Sequence, residues 1–204
     1  LSANPIQTTF VHQGSGAPML LLHGFDSSLF EFRRLQPLLA QHYSTWNVDL
    51  LGFGFSDRPL DVPFTPAAIK THLYYTWKTL IGEPMILVGA SMGGAAAIDF
   101  TLTYPDAVQH LVLIDSAGFA KGPDISKLML PGLGFLATEF LRRPGVRRSV
   151  SLKASADSSF VTSDAELCAA LHLHHPRWQT ALITFTKSGG YNFLADKISQ
   201  ITPP

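Results

Sequence analysis

The segment from Met85 to Gly94, MILVGASMGG, constrains this chain more than any other. Its first four residues are an apolar run typical of a buried strand, and small and apolar residues continue from Ala95 to Thr103, as in a helix packed closely on a sheet. Ser91 lies between the two, flanked by Gly89 and Gly93. A serine at the apex of so sharp a turn needs neighbours without side chains, so the G-x-S-x-G pattern has a steric cause. The segment predicts that Ser91 is a nucleophile, and a structural turn serine is the alternative.

Two further segments combine an apolar strand with a glycine-containing loop. The segment from Met19 to Phe25, MLLLHGF, ends in a His-Gly pair followed by phenylalanine. The segment from Trp46 to Asp57, WNVDLLGFGFSD, continues from a strand into a loop where Gly52 and Gly54 permit a turn.

Apolar runs and helical patterns alternate along the first 118 residues. Strands are predicted at 6–13, 19–22, 45–50, 85–88 and 110–115, with helices at 29–41, 65–81 and 91–103. Because alternating strands and helices form parallel crossovers, the sequence predicts an α/β fold with a mostly parallel sheet flanked by helices.

At these segments the chain resembles the α/β-hydrolase fold family. HGF, DLLGFGFSDRP, GASMGG and LVLIDSAG occur in the family's order and at its usual spacings, and the resemblance covers roughly the whole chain. It implies an incomplete α/β-hydrolase core with Ser91 as the catalytic serine. It also implies an oxyanion hole formed by the backbone N–H groups of Phe25 and Met92, and no metal or organic cofactor. For Phe25, simple lining of the pocket is the alternative.

The pattern of the chain changes after Gly118. Residues 119–197 carry few strand signals, several helical patterns and repeated breaks at proline and glycine. The resemblance implies that this part is an inserted helical cap that covers the nucleophile and shapes the substrate pocket. We therefore expect a core at 1–118, a helical cap at 119–197, and a return segment at 198–204 that leads to core strands absent from this chain.

The resemblance also implies an acid and a histidine that follow the nucleophile in that order. No histidine follows His175, so we expect both groups beyond residue 204 and expect the 204-residue chain to be inactive. Recruitment of a cap histidine is the alternative. Asp115 ends the strand LVLID and is a possible acid, against a role in loop capping or buried hydrogen bonding. His23 precedes the oxyanion loop, and its position is structural in the family.

Other polar residues have simpler interpretations. The HLHH run at 172–175 has no partnering Asp, Glu or Cys at a convincing metal spacing, so it predicts solvated histidines on a helix. His72 has no motif around it and is expected at the surface or an edge. Asp49 begins the glycine loop and is expected to bond its backbone, and Arg58 is expected to tie the same loop down.

The proposed cap contains an apolar run followed by a basic cluster. Leu128 to Leu141, LMLPGLGFLATEFL, precedes Arg142, Arg143, Arg147 and Arg148. Such a pattern is compatible with an anionic membrane surface. The favoured interpretation is a cap helix that roofs an apolar pocket with its arginines in solvent. Either interpretation suggests an uncharged, hydrophobic substrate.

The composition restricts the class of protein. Fifteen basic residues balance fifteen acidic ones, which argues against a nucleic-acid-binding protein. Hydrophobic residues make up 46% and charged residues 15%, so a large buried core is expected. Cys168 is the single cysteine, which excludes an internal disulfide. Without a long apolar run or a signal-peptide pattern, we expect a soluble, cytoplasmic protein.

The function expected from these residues is hydrolysis of an ester or related bond in a mainly apolar small molecule, through an acyl-enzyme on Ser91. Hydrolases of carbon–carbon bonds have a similar SMGG elbow and helical cap, and they are the nearer alternative. A non-catalytic protein that binds a ligand in the same pocket is the second. Dehalogenases and epoxide hydrolases of this fold use an aspartate nucleophile, so Ser91 argues against both.

Overall fold

A computed structural model describes residues 2, 4–121 and 132–201, and these residues form a five-stranded sheet with helices around it. The strands are β1 (Phe10–Gln13), β2 (Pro18–Leu22), β3 (Ser44–Val48), β4 (Met85–Ala90) and β5 (Val108–Ile114). Their order is β1-β3-β2-β4-β5, with β1 antiparallel to β3 and the other neighbouring pairs parallel. The predicted α/β class with a mostly parallel sheet is confirmed.

Helices connect the strands and then continue after the sheet. They are α1 (Gln36–Leu39), α2 (Pro66–Leu80), α3 (Met92–Thr103), α4 (Leu133–Arg142), α5 (Pro144–Ala154), α6 (Ser163–Leu171) and α7 (Trp178–Lys187). None of the helices within the described ranges combines the length and the apolar character needed to cross a lipid bilayer.

Two predicted elements differ from the structure. The helix predicted at 29–41 is instead a 3-10 turn at Leu29–Phe32 followed by the four-residue α1. Pro37 has no N–H to continue a helix from the preceding turn, so a new helix begins with this proline in its first turn. The strand predicted at 6–13 forms only from Phe10 onward. Before that point the backbone N–H groups of Gln7 and Thr9 donate to side chains rather than to a neighbouring strand.

The hydrophobic core lies between the sheet and α2 and α3. Leu20 and Leu21 of β2 point to opposite faces of the sheet and are both completely buried, as expected for a parallel strand covered on both faces. Ala95 and Ala97 of α3 are also completely buried. Because these side chains are small, α3 lies very close to the strands it covers.

Helices α5–α7 contact the loops that follow the carboxyl ends of β2 and β3, and α4 packs on α5 and α7. The Phe185 ring of α7 lies 5.9 Å from the ring of Phe25 and 5.5 Å from the ring of Phe53. A salt bridge of 2.6 Å joins Arg33 to Asp164 at the start of α6.

The domain boundaries expected at residues 118 and 197 stay a prediction. Part of the expected apolar run, 128–131, and part of the return segment, 202–204, lie outside the described residues.

His72 lies in α2 with only 8% of its surface exposed, so the expectation of a surface or edge position is wrong. Its Nε2 atom is 2.8 Å from the Thr8 hydroxyl, and burial lowers the pKa of the imidazole from 6.5 to about 4. The helical pattern around this residue places it on the inner face, but nothing in its local sequence shows how closely residues 6–8 cover it.

The buried imidazole of His72 predicts a loss of stability in acid. A histidine whose pKa is lowered in the folded state stabilises the fold above its unfolded pKa of 6.5, and this contribution is lost as the pH falls toward 4. We expect the protein to lose about 3 kcal/mol more of its free energy of unfolding between pH 7 and pH 4 than a His72→Gln variant does. Urea unfolding at several pH values measures this difference. The exposed His110→Gln variant is the control, and a parallel loss in all three proteins would contradict the prediction.

Candidate active site

Ser91 occupies the turn between β4 and α3 in a strained conformation. Its φ of 50° and ψ of −116° lie in a region that L-residues rarely adopt. The turn is held from both sides, because the Ser91 N–H donates to the Ile114 carbonyl (3.0 Å) and the Ser91 carbonyl accepts from Gly94 (3.0 Å) and Ala117 (2.9 Å). The serine itself is exposed. The fold thus stores strain at this residue and presents its hydroxyl group to solvent.

The glycines around Ser91 are required by close backbone contacts. A Cβ atom on Gly89 would lie 2.4 Å from the Gly93 carbonyl oxygen, and one on Gly93 would lie 2.1 Å from the Leu22 carbonyl oxygen. One on Gly94 would meet the Ser116 side chain at 2.3 Å. The steric cause predicted for Gly89 and Gly93 is confirmed. The catalytic role of Ser91 stays a prediction.

Two hydrogen bonds to the backbone of Gly24, the residue before Phe25, hold the loop after β2. The Gly24 N–H donates to Glu31 Oε2 (2.9 Å), and the Gly24 carbonyl accepts from His23 Nδ1 (2.8 Å). Within the described ranges, no hydrogen bond engages the backbone N–H of Phe25 or that of Met92. Phe25, Met92 and Ser91 line the same cleft, so two backbone donors without a partner among the described residues belong to the residues around it.

His23 is buried and uses both of its ring nitrogens structurally. Nε2 accepts a hydrogen bond from the Leu50 N–H (3.1 Å), so the proton that the ring donates to Gly24 is on Nδ1. This neutral tautomer leaves no nitrogen available to deprotonate Ser91. The geometry supports the structural role expected for His23.

Ser91 opens into a cleft of about 450 Å³ with an aromatic wall. Phe25, Phe185 and Tyr191 line one side, and their rings follow one another at centroid distances of 5.9 Å. Burial, with a smaller contribution from Asp99, raises the pKa of Tyr191 well above its usual value, so this phenol stays neutral. The cleft is suited to apolar groups.

Asp26, which follows Phe25, is the centre of a polar cluster that sequence inspection missed. Its carboxylate accepts hydrogen bonds from Trp178 Nε1 (2.7 Å) and Arg147 (2.8 Å), and it lies 3.1 Å from His172 Nε2. Burial by itself raises the pKa of Asp26, but the bond from His172 and the charge of Arg147 outweigh it and hold the pKa below its usual value. We name these four residues the Asp26 cluster.

The Asp26 cluster corrects two expectations from the sequence. His172 is 1% exposed, so the prediction of solvated histidines is wrong for this member of the HLHH run. Arg147 points inward to Asp26 rather than into solvent. The only signal in the sequence was the position of Asp26 directly after the predicted oxyanion loop, because its partners are 121 to 152 residues away.

The glycine loop after β3 is held as expected. Asp49 accepts from the backbone N–H groups of Leu29 (2.6 Å) and Phe55 (2.8 Å), although burial raises the pKa of Asp49. Arg58 donates to three carbonyl oxygens of the loop at 2.9–3.3 Å. Burial lowers the pKa of Arg58 to about 10, so its guanidinium stays charged at neutral pH. Both residues have structural roles.

Asp115 follows β5 with a φ of 44° and an exposed side chain, so a buried hydrogen-bonding role does not apply. Its neighbour Ser116 lines the cleft, whereas Asp115 does not. The role of Asp115 as the acid stays a prediction. In the part of the chain that the structure describes, no three His, Cys, Asp or Glu side chains are grouped to hold a metal ion.

The sequence was compared with protein families and with curated proteins. The model of the α/β-hydrolase fold matches residues 17–185. The chain is 40% identical over 187 residues to the alpha/beta hydrolase domain-containing protein VTE7 of Arabidopsis thaliana, which covers 91% of this chain and 56% of that protein. It is 33% identical to the 2-hydroxy-6-oxo-6-(2'-aminophenyl)hexa-2,4-dienoic acid hydrolase of Metapseudomonas resinovorans, over 58% of this chain and 42% of that protein.

A human protein and a solved structure give further likenesses. The chain is 35% identical to the (lyso)-N-acylphosphatidylethanolamine lipase of Homo sapiens, over 59% of this chain and 36% of that protein. The chain thus spans about half or less of the length of these relatives. The meta-cleavage product hydrolase of Pseudomonas fluorescens IP01 has a similar fold, with a TM-score of 0.73 and 24% identity over 88% of this chain and 64% of that one.

The contacts of Gly93 predict that a single methyl group damages the elbow. In Gly93→Ala the new Cβ must displace the backbone of β2, so we expect the free energy of unfolding to fall by about 3 kcal/mol. Gly145→Ala is the matched control, because a Cβ at that helical position meets nothing within 4 Å. We expect it to raise stability by about 0.5–1 kcal/mol. Equal destabilisation of both variants in chemical unfolding would contradict the steric account.

The Asp26 cluster predicts that Asp26→Asn destabilises the fold by about 2–4 kcal/mol, because it leaves Arg147 and His172 without their carboxylate. Asp164→Asn removes an exposed partner of Arg33 and serves as the control, with little effect expected. Thermal and urea unfolding of the two variants measure the difference. An Asp26→Asn protein as stable as the control would show that the cluster does not stabilise the fold.

Proposed function

The chain belongs to the α/β-hydrolase fold family, and from this we propose that its protein is a serine hydrolase that cleaves an ester or related bond through an acyl-enzyme on Ser91. The observation that carries the proposal is the strained, exposed Ser91 at the elbow between β4 and α3. A protein without chemistry at this position has no use for a conformation that destabilises its fold. The strain therefore favours an enzyme over the non-catalytic binding protein.

The two free backbone donors suit the oxyanion that such a reaction creates. When Ser91 Oγ attacks a carbonyl carbon, the carbonyl oxygen becomes negatively charged and needs donors that are already in place. We assign this role to the backbone N–H groups of Phe25 and Met92, which have no other partner within the described ranges. One such donor contributes about 3–4 kcal/mol to transition-state stabilisation.

The reaction requires a base that the described residues do not offer to Ser91. His23 uses both ring nitrogens elsewhere, and His172 faces Asp26. In the proposed sequence, a base from outside the described residues takes the Ser91 proton and returns it to the leaving alcohol. Water then attacks the acyl-enzyme, and the acid product leaves with Ser91 regenerated.

The substrate class follows from the wall of the cleft. Phe25, Phe185 and Tyr191 offer ring surfaces, and none of the described residues that line the cleft carries an ionised side chain. From the lining residues that the structure describes, we therefore propose a mainly apolar, uncharged acyl or alcohol group as the ligand. The lipase name of one relative is compatible with such a substrate.

We propose that α4–α7 form the cap over the nucleophile. Phe185 of α7 lines the cleft, and Arg147, His172 and Trp178 tie the same layer to Asp26. Asp26 directly follows Phe25, so the position of the cap is linked to the position of one proposed oxyanion donor. Displacement of these helices would therefore disturb the catalytic loop as well as the pocket.

Hydrolysis of a carbon–carbon bond is the second candidate function. It is favoured by the name of one relative, a hydrolase of a 2-hydroxy-6-oxo-dienoic acid. The described part of the cleft favours the ester, because such dienoic acids carry a carboxylate and none of the lining residues that the structure describes is cationic.

Covalent labelling with a fluorophosphonate probe tests the proposed nucleophile. We expect the longest natural form of the protein to be labelled, and we expect Ser91→Ala to abolish labelling. Ser116→Ala is the matched control, because this second serine lines the same cleft but donates its hydroxyl proton to the Ala117 carbonyl (2.7 Å). We expect it to retain labelling. The isolated residues 1–204 are expected to remain unlabelled, since the described residues offer Ser91 no base.

The outcomes separate the alternatives. Absence of labelling in every form would refute the serine hydrolase and favour the binding protein. If labelling depends on Ser91, turnover of p-nitrophenyl acyl esters is compared with turnover of a 2-hydroxy-6-oxo-dienoic acid. Faster turnover of the dienoic acid would assign the carbon–carbon bond reaction instead.

A further inference from the structure

The outer face of α4 carries large apolar side chains that are each at least half exposed among the described residues. The inner face is marked by Gly134 and Thr138, which are buried, with Gly134 packed against α7. Leu133, Leu136 and Phe140 follow at intervals of three and four residues on the opposite face and are 51%, 68% and 53% exposed. For the described part of the expected apolar run, none of the α4 residues lines the cleft beside Ser91. The largest side chains of this helix form a stripe on the outside of the molecule.

Basic side chains border this stripe. The Arg143 guanidinium lies 5.7 Å from the centroid of the Phe140 ring, at the C-terminal end of the helix. Arg148 and Lys153 of α5 are exposed nearby in the sequence. Residues 132–155 contain five basic residues and one acidic residue, but Arg147 pairs with Asp26 and Arg148 with Glu166 (2.8 Å each), which leaves Arg143 and Lys153 without a carboxylate partner among the described residues. The acidic residue, Glu139, is 3.5 Å from Arg142.

We propose that this outer face of α4, with the basic residues at its end and on α5, docks on an anionic lipid surface. An exposed apolar stripe with adjacent cations is the arrangement by which amphipathic helices lie in the boundary between lipid headgroups and acyl chains. The leucines and the phenylalanine enter the boundary, and the guanidinium and ammonium groups stay at the phosphates. This surface is separate from Ser91 and does not depend on the proposed reaction.

The positive charge beside the stripe favours a lipid surface over a second copy of the chain as the partner of this face. Two copies that pair through this face would bring Arg143 and Lys153 of one copy near the same cations of the other, which is unfavourable. An anionic bilayer instead neutralises the same cations. The lipid surface is therefore the occupant that satisfies both the apolar stripe and its basic border.

Co-sedimentation with vesicles tests the proposal on the longest natural form of the protein. The probes are vesicles of phosphatidylcholine alone and vesicles of phosphatidylcholine with 30% phosphatidylglycerol. We expect binding to the anionic vesicles that falls about tenfold or more in Leu136→Asp. The matched control is Leu60→Asp, because Leu60 is 88% exposed on another part of the surface. We expect it to bind as the unchanged protein does. Leu136→Ser removes the same leucine without adding a charge to α4. It is compared with the unchanged protein in its place if Leu136→Asp fails to fold.

A second pair of variants tests the contribution of charge. We expect Arg143→Glu to weaken binding to the anionic vesicles by at least about fivefold, whereas Lys78→Glu on α2 has little effect. Vesicle binding that survives Leu136→Asp, or the absence of vesicle binding, would overturn the proposal. Self-association that Leu136→Asp abolishes, without vesicle binding, would assign the face to a second copy. Capture of another protein that depends on Leu136, again without vesicle binding, would assign it to a protein partner.

Discussion

The close approach of α3 to the sheet is the constraint on which the rest of the site depends. Gly93 lies so near the Leu22 carbonyl, and Gly89 so near Gly93, that none of these positions has room for a methyl group. The chain can turn from β4 into α3 only by passing through the strained conformation of Ser91. The same turn leaves the Met92 N–H at the start of a helix without a partner in the described ranges. Strain, exposure of the serine and the free donor therefore have one geometric cause.

The loop after β2 connects this rigid turn to the helices that follow the sheet. Glu31 and His23 fix the peptide before Phe25, and three residues of α5–α7 and their connections fix the Asp26 carboxylate after it. Phe25 is thus held between a contact to the core and a contact to the later helices. Since the carboxylate is mostly buried, its charge is stabilised only while all three donors remain in place. The loop and the helical layer are energetically coupled at this residue.

Features that depend on neighbouring residues were predicted correctly from the sequence, whereas features that join residues far apart in the chain were missed. The elbow, the parallel strands and the glycine loop around Asp49 are determined by neighbouring residues, and the structure agrees with what their patterns predicted. The Asp26 cluster joins residues far apart in the chain, so no local pattern indicated that His172 and Arg147 turn inward. Hydropathy showed that 133–141 is apolar but not which neighbour it faces. The packing of Gly134 against α7 and the hydrogen bond from Gln179 to the Thr138 hydroxyl (3.1 Å) fix the direction of that helix.

The helices α4–α7 carry apolar side chains on two sides. Those on the inner side are buried against the core, whereas those on the outer side are exposed. Phe185 of α7 faces the aromatic wall of the cleft, where burial against Phe25 and Phe53 stabilises the layer on the core. Leu136 of α4 faces away from the core and is 68% exposed. It therefore buries little apolar surface and contributes little to the stability of the fold. A side chain of this kind is not retained by packing within the described residues. The outer stripe therefore calls for a contact outside the described residues, whereas the inner one is explained by packing within them.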